Sequence, residues 1–248
     1  MSGGFDPHEV SATPFDAPLV PRLPLRMRNT EILTAVYRTR AEAAAALLPA
    51  PLAATTDVVL VHLYRMHDAD WFGAYGESAI QIPARHEASG TEGAYSPLLF
   101  VESDGAVAAG REIYGQPKKA GRIELRPDGD LLVGRVWRNG IDVVTVTTPY
   151  KQQQATPAHL ERHASFRTNL NLKVIPAADG SGPAVRELTA RTFEDVVVHE
   201  VWSAPGTVEL RPNAQAPIHL LPVEKVVEAF YWRADFTLVY GRVLERIP

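Results

Sequence analysis

The chain has 248 residues, 46% of them hydrophobic, with a formal net charge of −4 at pH 7 and no cysteine. Without cysteine there is no disulfide framework, no thiolate zinc site and no thiol nucleophile. The acidic balance argues against a general nucleic-acid binder, which needs a basic face to release counterions.

Taken in chain order, the first ten residues carry neither the basic nor the apolar segment of a signal peptide. Pro7, Pro14, Pro18, Pro21 and Pro24 follow closely on one another. Each fixes φ and removes a donor, so residues 1–25 read as an extended arm and residues 26–248 as a single domain. Residues 32–37 are rich in strand formers. Residues 41–48 are Ala-rich and helical in pattern, stopped by Pro49. The longest uncharged apolar stretch, 43–54, is interrupted by Pro49 and Pro51, far short of the roughly 20 residues that span a bilayer. A protein of the cytoplasm, without membrane association, is the expectation.

Residues 58–64 read Val-Val-Leu-Val-His-Leu-Tyr, the continuous apolar run of a strand buried on both faces. Residues 131–137 and 141–147 flank Asn139-Gly140, a strong hairpin signal. Residues 172–175 and 184–188 flank a second turn at Asp179-Gly180-Ser181-Gly182. Residues 193–202 are strand-like, and residues 157–166, 223–229 and the stretch after Tyr240 are helix candidates. Short strands along the whole chain predict an α+β, mostly β, single domain. Its expected frame is a closed or cone-like β-barrel or sheet system with a few peripheral helices. No Gly-rich phosphate loop appears, so no nucleotide cofactor is expected.

Of the 25 basic residues, 20 are Arg and 5 are Lys, and two of those lysines, Lys118 and Lys119, are adjacent. Two neighbouring lysines are ordinarily a solvated patch. In a chain that otherwise uses arginine, which does not give up its proton, two adjacent amines suggest nucleophilic use instead. If the segment is extended, the two side chains point to opposite faces, so burial of Lys118 rather than the neighbouring charge would favour its neutral amine. On the same assumption Gln116 shares the face of Lys118 and reaches the same cavity. His159 and His163 stand four apart without a third ligand, so no metal site is expected.

The segment from Gly110-Arg111-Glu112 to Pro117-Lys118-Lys119 resembles the signature of the acetoacetate decarboxylase superfamily. That enzyme is itself a standard example of a lysine activated by desolvation or a neighbouring cation. Val36-Tyr37-Arg38-Thr39, the Pro49-Ala50-Pro51-Leu52 turn, Met66-His67-Asp68, Tyr75-Gly76-Glu77-Ser78, Val198 to Trp202 and Pro217 to Val223 resemble further family landmarks, in order. The resemblance implies that Lys118 forms the Schiff base and that Lys119 is the basic neighbour modulating its pKa. It implies that Glu77 does acid-base work; Gln116, by sharing the face of Lys118, is a candidate to orient the substrate. Tyr240 is a candidate phenol donor. Two positions depart from the decarboxylases: Thr30 stands where they carry an arginine, and His62 where they carry a second pocket glutamate. His62 is either a satisfied core histidine or a pocket group titrating near neutrality, and Arg28 is a candidate replacement for the missing arginine.

The expected function is a cofactor-independent Schiff-base lyase for small oxo acids. The two departures favour pyruvate aldolase-dehydratase or 2-oxo-acid hydratase chemistry, with an aldehyde as possible second substrate. Acetoacetate decarboxylation is the alternative, and a non-catalytic binder of small carbonyl compounds the alternative of another class. The resemblance also implies a homo-oligomer.

Overall fold

Strand-forming residues dominate the computed structural model, which describes residues 10–163 and 167–248. Seventeen strands are present among them. The first seven are β1 (Leu25–Arg38), β2 (Leu52–Ala54), β3 (Val58–Met66), β4 (Asp68–Ala69), β5 (Tyr75–His86), β6 (Thr91–Val101) and β7 (Lys118–Ala120). They are followed by β8 (Arg122–Asp128), β9 (Leu131–Arg138), β10 (Ile141–Pro149), β11 (Gln153–Gln154) and β12 (Thr168–Pro176). The last are β13 (Pro183–Thr192), β14 (Glu194–Ala204), β15 (Thr207–Leu210), β16 (Lys225–Leu238) and β17 (Arg242–Arg246). The α-helices are short: α1 (Ala41–Ala46), α2 (Asp104–Ala109) and α3 (Pro157–Glu161).

Thirteen strands form one sheet, in the order β11-β14-β16-β1-β3-β5-β6-β12-β13-β17, with β2, β4 and β7 added at its flanks. The other four form a second sheet, β15-β10-β9-β8. The expected mostly-β α+β fold is present, but the expected closed barrel is not. Among the described residues β11 and β17 end the large sheet without pairing to each other, so both sheets are open.

Side-chain alternation divides the central strands between two cores. Leu33, Ala35 and Tyr37 of β1, Val59, Val61 and Leu63 of β3, and Ile80 and Ile82 of β5 pack against Ile123, Leu132, Val136 and Val146 of the small sheet. The alternate residues, among them Ile32, Val36, Leu60, Tyr64, Tyr75 and Ala79, join Leu99, Phe230 and Trp232 in the second core. Strand β3 is therefore buried on both faces, as its apolar run predicts, although its neighbours are antiparallel.

The Asn139-Gly140 hairpin forms as expected. Arg138 pairs with Ile141, and both turn residues have positive φ, +55° and +76°, as a two-residue hairpin turn requires. Two helix expectations are corrected. Residues 223–229 run into β16, whose Val, Phe, Tyr and Trp side chains pair with β1 and β14, and the stretch after Tyr240 forms β17 on the edge of β13. Tertiary pairing overrides helical spacing in both. The helix expected over 157–166 is found as α3, capped by the Thr156 side chain; residues 164–166 lie outside the described set. Residues 10–24 of the expected arm contain neither helix nor strand. No helix among the described residues is long and apolar enough to cross a membrane.

Helix α2 and the turn after it had no counterpart in the sequence reading. The Ser103 side chain caps α2, which continues into a five-residue π-helical turn, Gly110–Tyr114. Gly115 ends that turn at φ +82°, tight against the backbone of Lys173 on β12. A Cβ at this point meets both the left-handed conformation and an unyielding neighbour. Gly115→Ala is expected to lower stability by about 2–5 kcal/mol, read as a fall in urea midpoint at unchanged m value. A midpoint equal to that of the parent protein would refute this packing.

Candidate active site

Strand β6 sets the position of Lys118 and Glu77. Val101 of β6 is opposite Glu77 of β5, and Leu99 is opposite Lys118 of β7. Residues two apart share a face, so Glu77 and Lys118 emerge on one side, across β6 from each other. Lys118 Nζ donates to Glu77 Oε2 at 3.0 Å, with both side chains largely withdrawn from solvent.

The surrounding chain fixes both partners. The Glu102 carboxylate accepts from the backbone N–H of Gly76, beside Glu77, and from that of Ile123 at the start of β8, each at 2.8 Å. Gly110, in the π-helical turn, lies directly against the lysine stem. A Cβ there would overlap Cδ of Lys118 and sit 2.7 Å from its Cε. Glycine is thus the residue that lets the turn close over the amine.

Lys118 and Glu77 line a largely enclosed cavity. Apolar residues, including Met66, Phe72, Ala79, Leu99, Ala109 and Phe236, form much of the wall. Its polar positions are Gln81, Gln116, Asn169 and Arg191, with the phenols of Tyr64, Tyr75 and Tyr114. Burial holds all three phenols above the usual tyrosine range, so they remain protonated. Tyr114 spends its proton on the carbonyl of Val239 at 2.8 Å.

Arg191 is only 4% exposed. Burial lowers its pKa, against the opposing charge of Glu77 among other groups, yet a guanidinium stays charged at any working pH. It faces Asn169 across the β12–β13 pair. Its Nη2 donates to Asn169 Oδ1, which also accepts from Gln116 Nε2 at 3.4 Å. The guanidinium lies 4.0 Å from the Phe193 ring centroid.

Of the residues singled out in the sequence, the structure brings Lys118, Glu77 and Gln116 together. Gln116 arrives by a route other than the one expected. Strand β7 begins only at Lys118, and a turn, with Lys118 N–H bonded to the Gln116 carbonyl at 2.8 Å, precedes it. The other five do not line the cavity. Lys119 points away, donating to the carbonyl of Gln215 at 2.9 Å. Tyr240 is 60% exposed. Arg28 is on the surface, paired with Asp68 and Asp70, so it does not replace the arginine expected near Thr30. Thr30 is buried and donates to Met66 Sδ at 3.4 Å. His62 lies beneath the cavity, its Nδ1 at 2.8 Å from Thr34 Oγ1, which accepts from Trp232 Nε1 at 2.9 Å.

His159 and His163 both contact Glu228. Among the described residues no group of three His, Cys, Asp or Glu is arranged to hold a metal.

Sequence reasoning missed Arg191, Asn169, Gln81, Tyr64 and Tyr75. Tyr64 was within reach, since it shares a strand face with His62. Arg191 was not. It alternates with Leu188 and Ala190, which pack into a third core, and such an alternation reads as a solvent-facing arginine.

The site can be set beside known proteins. The family model for acetoacetate decarboxylase matches residues 11–247. The acetoacetate decarboxylases of Bordetella avium and Clostridium acetobutylicum are 38% and 35% identical over 233 residues. Each alignment covers 94% of this chain, and 93% and 94% of the respective relative. The crystal structure of acetoacetate decarboxylase from Legionella pneumophila superposes with a TM-score of 0.88 at 30% identity, covering 99% of this chain and 98% of that one. The enduracididine biosynthesis enzyme MppR, complexed with the condensation product of pyruvate and imidazole 4-carboxaldehyde, shares the fold. Its TM-score is 0.79 at 18% identity, over 95% of this chain and 96% of that one.

His62 gives this site a measurable pH signature. Burial pulls its pKa from 6.5 down to about 4, against a smaller upward effect of Gln81. Below pH 6.5 the unfolded chain takes a proton that the folded chain refuses, so this component of stability falls as pH drops toward 4. By pH 5 it amounts to about 2 kcal/mol. His62→Gln is expected to shrink the loss of unfolding free energy between pH 7.5 and 5 by about that amount. Equal losses in the two proteins would show that His62 charges freely in the fold.

Proposed function

Because the chain belongs to the acetoacetate decarboxylase family, we propose that it decarboxylates a small β-keto acid through a Schiff base on Lys118. The observation that carries this reading is the 3.0 Å contact between Lys118 Nζ and Glu77 Oε2 at the wall of an apolar cavity. The family is one of lyases, and an enzyme of that class is what this chain is; the substrate and the residue roles are our reading.

The chemistry follows from the pair. The free amine of Lys118 adds to the ketone, and water leaves as the iminium forms. Glu77 takes and returns the protons of these steps. The bond to the carboxylate carbon then breaks, its electron pair enters the iminium, and carbon dioxide departs. The resulting enamine carbon takes a proton, for which Glu77 is in reach of the amine-bound substrate. Hydrolysis releases the ketone and restores the amine. The apolar wall favours the step from carboxylate to neutral carbon dioxide, since it offers a departing charge no water.

Thr30 and His62, as departures from the decarboxylases, favour pyruvate condensation in the sequence. Identity of 34–38% to decarboxylases along most of the chain supports the opposite order. The likeness to MppR, at 18% identity, speaks for the fold alone. Nor does His62, neutral and outside the cavity lining, supply the altered pocket charge on which that preference leaned.

Acetoacetate is the probe. The protein is expected to release carbon dioxide from it, and borohydride reduction in the presence of acetone should leave an isopropyl group on Lys118 alone. Lys118→Ala should abolish both. Glu77→Gln should slow turnover by about 100-fold or more while keeping some adduct. Condensation of pyruvate with an aldehyde without carbon dioxide release from acetoacetate would restore the earlier order. Unchanged turnover in Lys118→Ala would end the Schiff-base reading.

A further inference from the structure

A polar cluster deep in the cavity has more donors than its own contacts use. Arg191 gives one nitrogen, Nη2, to Asn169 Oδ1. Its Nε and Nη1, and Asn169 Nδ2, are buried without a hydrogen-bond partner. Both residues line the cavity and both are more than nine-tenths buried. Unmet buried donors cost about 1–3 kcal/mol each, so a cluster of three around a positive charge is suited to a ligand rather than to the empty fold. All three unmet groups of Arg191 and Asn169 are donors, which selects an acceptor-only anion for this pair. A carboxylate, with two acceptor oxygens, can take N–H groups from both the guanidinium and the neighbouring amide.

We propose that Arg191 and Asn169 form a subsite for a second carboxylate, one that the reaction leaves in place, so that the substrate is a 3-oxo dicarboxylic acid. The inference rests on the Schiff-base reading for the role of Lys118 and adds the substrate class. The reason for a second carboxylate is energetic. The carboxylate that leaves must lose its charge on the way to carbon dioxide. A charge-assisted clamp on it would stabilise the bound acid more than the transition state and slow the reaction. A carboxylate that keeps its charge throughout gains from the same clamp in both states and is held in place.

With 3-oxoadipate, the carboxylate β to the ketone leaves as carbon dioxide and its electron pair enters the iminium. The carbon left behind gains a proton. The distal carboxylate remains on Arg191, and hydrolysis gives 4-oxopentanoate.

Trapping of the product ketone tests the subsite. Borohydride is added with 4-oxopentanoate or with 2-pentanone, which lacks the carboxylate, and the concentration that half-saturates labelling of Lys118 is measured. The native protein should be labelled at about 10- to 100-fold lower concentrations of 4-oxopentanoate. In Arg191→Met that ratio should fall toward one, and Arg191→Lys should restore part of it. With 3-oxoadipate as substrate, the loss in Arg191→Met should appear mainly in KM. Equal half-saturation by the two ketones in the native protein overturns the subsite, and needs no variant to fold. So does a preference that survives in Arg191→Met. Labelling by neither ketone overturns the Schiff-base reading instead. Calorimetric binding of butyrate then decides the subsite, for which binding abolished by Arg191→Met supports it and binding absent or indifferent to the substitution defeats it.

Discussion

An amine and a carboxylate 3.0 Å apart, cut off from bulk water, are the constraint to which the surrounding sheet answers. Either group alone would be costly to bury, whereas together they satisfy each other's strongest demand. Their separation is set by backbone rather than by flexible side chains. Strand β6 lies between them, bonded to β5 in one direction and β7 in the other, and residues 99 and 101 align the two across it. The Glu102 carboxylate then ties the start of β5 to the start of β8, so the edge of the cavity is anchored to the small sheet as well.

Packing around the lysine is tighter than the sheet alone requires. Helix α2 widens into a π-helical turn where it meets the Lys118 stem, and the residue at the contact is glycine. Such widened turns are frequent at functional sites. Here the irregularity has a physical cause, which is room for four methylenes beside a helix. Gly115 then reverses the chain through a left-handed conformation that brings Gln116 to the cavity just before β7 begins.

Much of this was legible in the chain. The run at 58–64 and the Asn-Gly hairpin identified strands from local pattern, and the scarcity of lysine drew attention to Lys118. Glu77, named from resemblance, and Gln116, named from strand alternation, both meet Lys118 in space. What was not legible depended on partners distant in sequence. Residues 223–229 and 242–246 become strands because edges of the sheet are there to receive them. The resemblance implies that His62 and Thr30 are pocket residues, and His62 does share a strand face with Tyr64 of the cavity wall. A face is longer than a cavity, however, and the two side chains end in the packed core beneath it. Arg191 was hidden for the converse reason: nothing in residues 188–192 tells that the polar side of β13 is roofed over.

Strand β5 carries one further consequence. Glu77 alternates with Ser78 along a strand whose other face, at Ile80 and Ile82, packs against the small sheet. Shift its pairing by one residue and the carboxylate would be driven into an aliphatic interior, with no amine to meet it and isoleucines turned into the cavity. Such a misaligned chain carries an unpaired buried charge, so it is penalised by several kcal/mol before any native contact is lost. The residue proposed to move protons therefore also acts as a proofreader of folding, rejecting the neighbouring alignments that a purely aliphatic strand would tolerate.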